Sequence, residues 1–283
     1  MKVIRYSQRP RPGNIFGSFS VTTWIIIFTS LFSFFAFIVQ YARPELIKHL
    51  ALYPEHIANG QYLWTLISHI FVHGSLPHLF FNMFSLFFIG NLLEKIMGRK
   101  RFFWFYLIAG VFAGLVFVTL SNLFGYGVLG QRMFSSPDIP GVGASGAIFG
   151  IAGVLAFLIP RSKVYLIGGP LIAIALQAVV QSLFGANAAV NLIIMLLNIY
   201  ILLSLLFIFS FNPNLRRLTI PIAMPFWLLP IVAILPLFIV GMFVSLPIAN
   251  TAHLGGAIAG AIFGYYLRVK YKKKIAMLGR FFR

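Results

Sequence analysis

The sequence predicts an all-α polytopic membrane protein, and three observations carry that reading. Sixty per cent of the residues are hydrophobic and 9% are charged, with a mean hydropathy of +0.95, whereas soluble domains run nearer half apolar with about a quarter charged. Apolar runs of membrane-spanning length recur from Val21 to the C-terminal region, and about 20 such residues cross a hydrocarbon core of about 30 Å. The runs are continuous and do not alternate. That favours helices over a closed barrel, the two folds that satisfy backbone polar groups in lipid.

The spans follow in order. A basic arm, residues 1–20, carries Lys2, Arg5, Arg9 and Arg11 and precedes a first span near 21–40. That run is long and lacks an A-x-A-like cleavage site, so it reads as a retained span. A mixed loop from Tyr41 to Pro77 leads to a second span near 78–94, which ends in the charged turn from Glu94 to Arg101. The third occupies 102–123. A loop rich in Gly, Pro and Ser then enters a glycine-rich fourth span, 145–159, closed by Pro160-Arg161-Ser162-Lys163. Residues 164–184 and 189–211 read as two further spans joined at Gly185–Ala188; Gln177, Gln181, Asn191 and Asn198 suit bonds between neighbouring helices. The turn through Arg216 and Arg217 separates this inserted hairpin (164–217) from a seventh span near 225–243, where Pro230 and Pro236 predict bends. The eighth, near 250–267, completes a transmembrane domain of 21–267 and runs into the basic tail, 268–283.

Charge sets the orientation. With both termini cytoplasmic, 19 of the 22 Lys and Arg face inside, and only Arg43, Lys48 and Arg132 fall outside. Basic residues flanking spans favour the cytoplasmic side. The net charge of +18 is then explained by anionic membrane lipids rather than by nucleic acid. The short basic N-terminus without a targeting pattern suits a prokaryotic cell membrane. No cysteine is present, which excludes disulfides, thiolate catalysis and cysteine metal sites.

The chemistry available inside the membrane is narrow. The four carboxylates, Glu45, Glu55, Glu94 and Asp138, all fall outside the spans or at a helix end. Paired-carboxylate hydrolysis and acidic proton relays therefore lack their groups, and no H-E-x-x-H exists for a metalloprotease. Proton transfer falls to histidine. His69, His73 and His78 cluster before and within the second span, and His253 is the sole histidine of the last. His78 and Asn82, four apart, project from one helix face about 6 Å apart along the axis; they suit either oxyanion donors or bonds between helices.

Gly141-Val-Gly-Ala-Ser145-Gly-Ala-Ile-Phe-Gly150 matches G-x-G-x-x-G, but no βαβ context or following acidic residue supports a dinucleotide site. Ser145 at a helix N-terminus is either a simple N-cap or a nucleophile where the free N–H groups and dipole favour an oxyanion. In the last span, Gly256, Gly260 and Gly264 follow His253 at four-residue steps, the small-xxx-small pattern that lets membrane helices touch. The fourth span has its own small face through Gly146, Gly150 and Gly153. Two such helices in close contact would bring His253 to Ser145, and a serine needs a base within hydrogen-bond reach to become a nucleophile.

These residues resemble the rhomboid intramembrane serine proteases. The resemblance rests on H-x-x-x-N at His78–Asn82 with His73 before it, G-x-S-G at Gly143–Gly146, A-H-x-x-G at Ala252–Gly256, and G-x-x-x-E-x-x-x-G at Gly90, Glu94 and Gly98. It implies a six-helix core, with the extra hairpin between the fourth core helix and the fifth. It also implies a Ser145–His253 dyad without an acidic third member. The main-chain N–H of Ser145, with His78 and Asn82, would hold the oxyanion. Substrates would be transmembrane proteins, and no cofactor or metal is implied. Two positions depart from the family pattern: Phe149 stands where tyrosine is frequent, and Trp64-Thr65 where a tryptophan–arginine pair is usual. A catalytically silent relative that binds membrane clients is the rival reading, disfavoured because the serine and histidine are both present. A transporter is a second rival, and no convincing internal repeat supports it.

Overall fold

A computed structural model describes residues 19–244, 246 and 249–281. Most of the basic arm and the end of the tail lie outside the described residues. Helix predominates, at the positions expected to within a few residues. The long helices are α1 (Val21–Ala42), α4 (Leu76–Met97), α5 (Arg99–Phe124), α7 (Ser145–Leu158), α8 (Gly168–Phe184), α9 (Ala188–Ile208), α11 (Leu229–Phe243) and α12 (Asn250–Lys270). Short helices α2 (Pro54–Ala58), α3 (Thr65–Ser68), α6 (Gly127–Phe134), α10 (Pro213–Arg217) and α13 (Lys272–Phe281) complete the set. Among the described residues, α1, α4, α5 and α9 are long and apolar enough to cross a membrane. The protein is an integral, multi-pass membrane protein.

Capping explains where the bundle begins. Glu94, buried near the end of α4, accepts hydrogen bonds from the backbone N–H of Val21 at 2.9 Å and of Thr22 at 2.8 Å, and from the Thr22 hydroxyl at 2.7 Å. The first N–H groups of a helix have no internal partner, so this carboxylate satisfies the start of α1. Its charge also complements the positive dipole end of that helix. Within α4, Leu86–Gly90 widens to a π turn, a local bulge frequent at functional positions. At Gly98 the chain turns from α4 into α5 with φ +88°, a conformation glycine adopts without a Cβ penalty.

Packing centres on α12, which lies most extensively against α7 and then α5. A Cβ on Gly256 would run into the carbonyl of Gly146, and one on Gly260 into that of Gly150. On Gly264 a Cβ would lie 3.0 Å from the Cα of Val154. The four-residue steps of the two helices therefore match, glycines of α12 against the backbone of Gly146, Gly150 and Val154. Tyr106, Phe102, Ile151, Leu155 and Leu158 fill the core beside this seam.

The inserted region departs from the expected run of helix. Residues Lys163–Ile167 form β1, paired antiparallel with β2 (Pro221–Pro225), with Lys163 opposite Pro225 and Ile167 opposite Pro221. Val164, Tyr165 and Ile167 are β-branched or aromatic, types that suit a strand. Prolines at both ends of β2 are tolerated because a two-stranded ribbon is all edge. Helix begins only at Gly168, with Pro170 in its first turn, where a missing N–H costs nothing. Above the ribbon, α8 and α9 pack on each other, and Gln177 Nε2 donates to Asn198 Oδ1 at 2.9 Å. The hairpin reaches α4 through Phe209, whose ring packs edge-on against Phe80 and Phe84. In α11, Pro230 occupies the first turn and Pro236 lies inside the helix, so only Pro236 removes an internal backbone bond.

Candidate active site

The site is built from the ends of three helices and one loop. Gly141, in the loop before α7, pairs with Leu52 in an isolated bridge, Gly141 N–H to Leu52 O at 2.8 Å and the reverse at 3.1 Å. Gly143 has φ +121° and donates its N–H to the carbonyl of His69 at 2.9 Å. Only glycine takes that backbone conformation readily, and it aims the following residues into α7. Ala144 is the N-cap residue of this helix and Ser145 its first helical residue. The hydroxyl of Ser145 does not cap the helix. It lies 2.9 Å from Nε2 of His253.

His253 sits on the first turn of α12 and is buried. The glycine contacts between α7 and α12 begin three residues further on, so the separation of Ser145 Oγ and His253 Nε2 is set by backbone contact between helices. Phe149, one turn along α7 from Ser145, stacks on the imidazole with ring centroids 4.4 Å apart and planes 23° from parallel. The Nδ1 atom of His253 has no hydrogen-bond partner among the described residues, and no carboxylate bonds to it there.

His78 and Asn82 border the loop at Gly143. A Cβ placed on Gly143 would sit 2.9 Å from Nε2 of His78 and 3.5 Å from Nδ2 of Asn82, so both side chains flank the peptide two residues before Ser145. Asn82 is buried, and its Nδ2 has no partner among the described residues. Buried donors are almost always bonded, so an unpaired amide facing the loop at Gly143 is available to an incoming oxygen. The His78 ring meets His73 edge-on, centroids 5.0 Å apart. A cavity of about 20 Å³ lies behind Ser145, bordered by His69, Gly114, Gly141, Gly143 and Gly146, room for about one water molecule.

The structure thus brings all four expected site residues, Ser145, His253, His78 and Asn82, around one loop. It also adds a residue the sequence reading did not single out. Ser33, buried in α1, lies 2.9 Å from Nδ1 of His73. Trp64, already noted in the sequence beside Thr65, donates Nε1–H to the carbonyl of His49 at 2.9 Å and packs with Tyr62 and His49, which ties the start of α3 to the segment after α1. The signal for Ser33 was the stripe Thr22, Ile25, Thr29, Ser33 and Ala36, the buried face of α1, which recurs at helical spacing with small or polar types.

Comparison with known proteins places the same residues in context. A family model for the rhomboid domain matches residues 60–211. That stretch includes His78, Asn82 and Ser145 and stops short of His253. The chain is 37% identical over 123 residues to RHOMBOID-like protein 5 of Arabidopsis thaliana, covering 43% of this chain and 35% of that protein. It is 34% identical over 102 residues to the rhomboid protease GluP of Bacillus subtilis, covering 36% and 17% respectively. Identity to the rhomboid protease GlpG of Haemophilus influenzae is 30% over 112 residues, covering 37% of this chain and 58% of that protein. The chain therefore spans less than two thirds of each of these relatives.

Proposed function

This chain belongs to the rhomboid family, and on that premise we propose that it is an intramembrane serine endopeptidase that hydrolyses peptide bonds in or near transmembrane segments of other membrane proteins. The observation that carries the reading is the part-buried pair Ser145 Oγ and His253 Nε2 at 2.9 Å, a nucleophile within reach of its base. Ser145 Oγ attacks the scissile carbonyl carbon while His253 Nε2 takes the hydroxyl proton. The oxyanion is held by the main-chain N–H of Ser145 with Asn82 Nδ2 and His78. His253 returns the proton to the leaving amine, and the acyl-enzyme remains. Water, deprotonated by His253, attacks the ester carbonyl and restores Ser145. No acidic residue orients His253 in this scheme; the Phe149 stack does so instead.

The architecture proposed with this function is a six-helix core of α1, α4, α5, α7, α11 and α12, with α8 and α9 as an inserted hairpin between the fourth and fifth core helices. Both termini are cytoplasmic, the basic arm and tail flank the transmembrane domain beside anionic lipid, and the host membrane is that of a prokaryotic cell. The test uses purified full-length protein in lipid, a membrane-spanning reporter and a serine-directed fluorophosphonate. Ser145→Ala is expected to abolish labelling and cleavage together. Persistent cleavage in that variant would eliminate the Ser145 mechanism, and a wild type that binds the reporter without cutting it would favour the rival, in which the chain only binds its clients.

A further inference from the structure

Hydrogen bonding around His73 dictates which of its ring nitrogens carries the proton. Ser33 Oγ lies 2.8 Å from the carbonyl oxygen of Phe71 and 2.9 Å from Nδ1 of His73. A serine hydroxyl has one proton to donate, and a carbonyl oxygen only accepts. The Ser33 proton therefore goes to Phe71, which leaves the Ser33 oxygen to accept from Nδ1–H of His73. In the neutral ring the other nitrogen, Nε2, then keeps its lone pair. That atom accepts the backbone N–H of Ala144 at 3.4 Å. Both Ser33 and His73 are buried, so water does not offer the ring an easy substitute partner.

Ala144 immediately precedes Ser145. Its N–H is held by the His73 ring, and the N–H one residue earlier, on Gly143, is held by the carbonyl of His69. Two successive peptide groups before the nucleophile are thus fastened to the segment between α3 and α4. In the opposite tautomer, Nε2–H of His73 would face the N–H of Ala144, donor against donor, and the hold on the loop would be lost.

We propose that Ser33 and His73 are positioning residues, in which Ser33 selects the Nδ1–H tautomer of His73 so that Nε2 anchors the loop aiming Ser145 and its N–H. This rests on the protease reading above. Neither residue touches the reacting atoms, so the effect passes through the loop and belongs to the chemical step rather than to substrate binding.

The experiment combines histidine-selective ¹⁵N NMR of the full chain in micelles with reporter kinetics. The wild type is expected to show His73 as the Nδ1–H tautomer. Ser33→Ala should shift it toward Nε2–H and speed exchange of the Ala144 amide proton. Ser33→Thr, which keeps a hydroxyl, should restore both signals. In the kinetics, Ser33→Ala should lower kcat roughly 3–10-fold, the worth of about one hydrogen bond, with KM unchanged, and Ser33→Thr should recover it. An Nε2–H tautomer in the wild type overturns the proposal without needing any variant to fold. So does unaltered Ala144 exchange, or wild-type kcat, in Ser33→Ala. Failure of the wild type to take the fluorophosphonate or cut the reporter would instead sink the protease reading, while the tautomer and exchange data still decide whether Ser33 and His73 anchor the loop.

Discussion

Asn82 separates stability from activity at the level of a single side chain. Its Nδ2 is buried and unpaired among the described residues, and an unsatisfied buried donor costs about 1–3 kcal/mol. Removing it should therefore leave the fold as stable or more so. If that amide serves the oxyanion, the same change removes a donor aimed at developing charge. Asn82→Ala is expected to lower kcat about 10–10³-fold with no fall in the thermal midpoint. Wild-type turnover would take Asn82 out of the site, and a large loss of stability would show that its amide has a structural partner in the folded chain. Phe149 offers a companion test. Its ring stacks on His253 at 4.4 Å, and aromatic pairs contribute about 0.5–1.5 kcal/mol beyond area burial. Phe149→Leu keeps most of the volume and loses the stack. It should slow fluorophosphonate labelling of Ser145 several-fold; an unchanged rate would mean the imidazole is held without it.

Contact between elements is where the glycine pattern takes effect. Gly260 of α12 faces the carbonyl of Gly150 in α7 with no room for a Cβ, and overpacking in a tight seam costs about 1–3 kcal/mol and occasionally more. Gly260→Val must push the helices apart about two turns from His253, so both unfolding resistance and probe labelling of Ser145 should fall. Labelling at the wild-type rate would mean the dyad does not depend on this seam. Glu94 tests a second junction. It accepts three hydrogen bonds from the start of α1, and bonds to a charged group contribute about 1.5–3 kcal/mol each. A glutamine there has one accepting oxygen in place of two, so Glu94→Gln should destabilise by about 2–4 kcal/mol, read as a lower midpoint in denaturant, with little change in kcat for the folded fraction. The long helices and the α7–α12 seam were legible because lipid thickness sets span length and small residues at four-residue steps mark close approach. The meeting of Ser145 with His253 was legible for the same reason. The β1–β2 ribbon was not, since Val164–Ile167 is apolar and continuous with α8, and pairing with a partner more than 50 residues away leaves no local periodicity. The partner of Ser33 was hidden because its stripe, shared with Thr22 and Thr29, marks a buried helix face without saying which hydroxyl meets a histidine.

Across the whole molecule, orientation rests on charge and can be read without any assay of activity. In the proposed orientation, which follows from the basic turns and tail, both chain ends are cytoplasmic and the hairpin of α8 and α9 sends its Gly185–Ala188 turn to the outer side. The absence of cysteine makes a single introduced thiol a clean reporter. Ala186 is the better position in that turn, because Asn187 caps α9 by accepting from the N–H of Val190 at 3.0 Å, and losing such a cap costs about 1 kcal/mol. Met277, exposed on α13, marks the other side. In intact cells an impermeant maleimide should modify Ala186→Cys directly and Met277→Cys only after the membrane is opened. Labelling of both from outside would break the cytoplasmic assignment of the tail. Protection of Ala186→Cys until the membrane is opened would show that the hairpin does not cross, and the contact of Phe209 with Phe80 and Phe84 would then have to form with α8 and α9 turned toward the cytoplasm. Either result would leave the Ser145–His253 geometry untouched, because α7 and α12 are joined through their own glycine faces and not through the insertion.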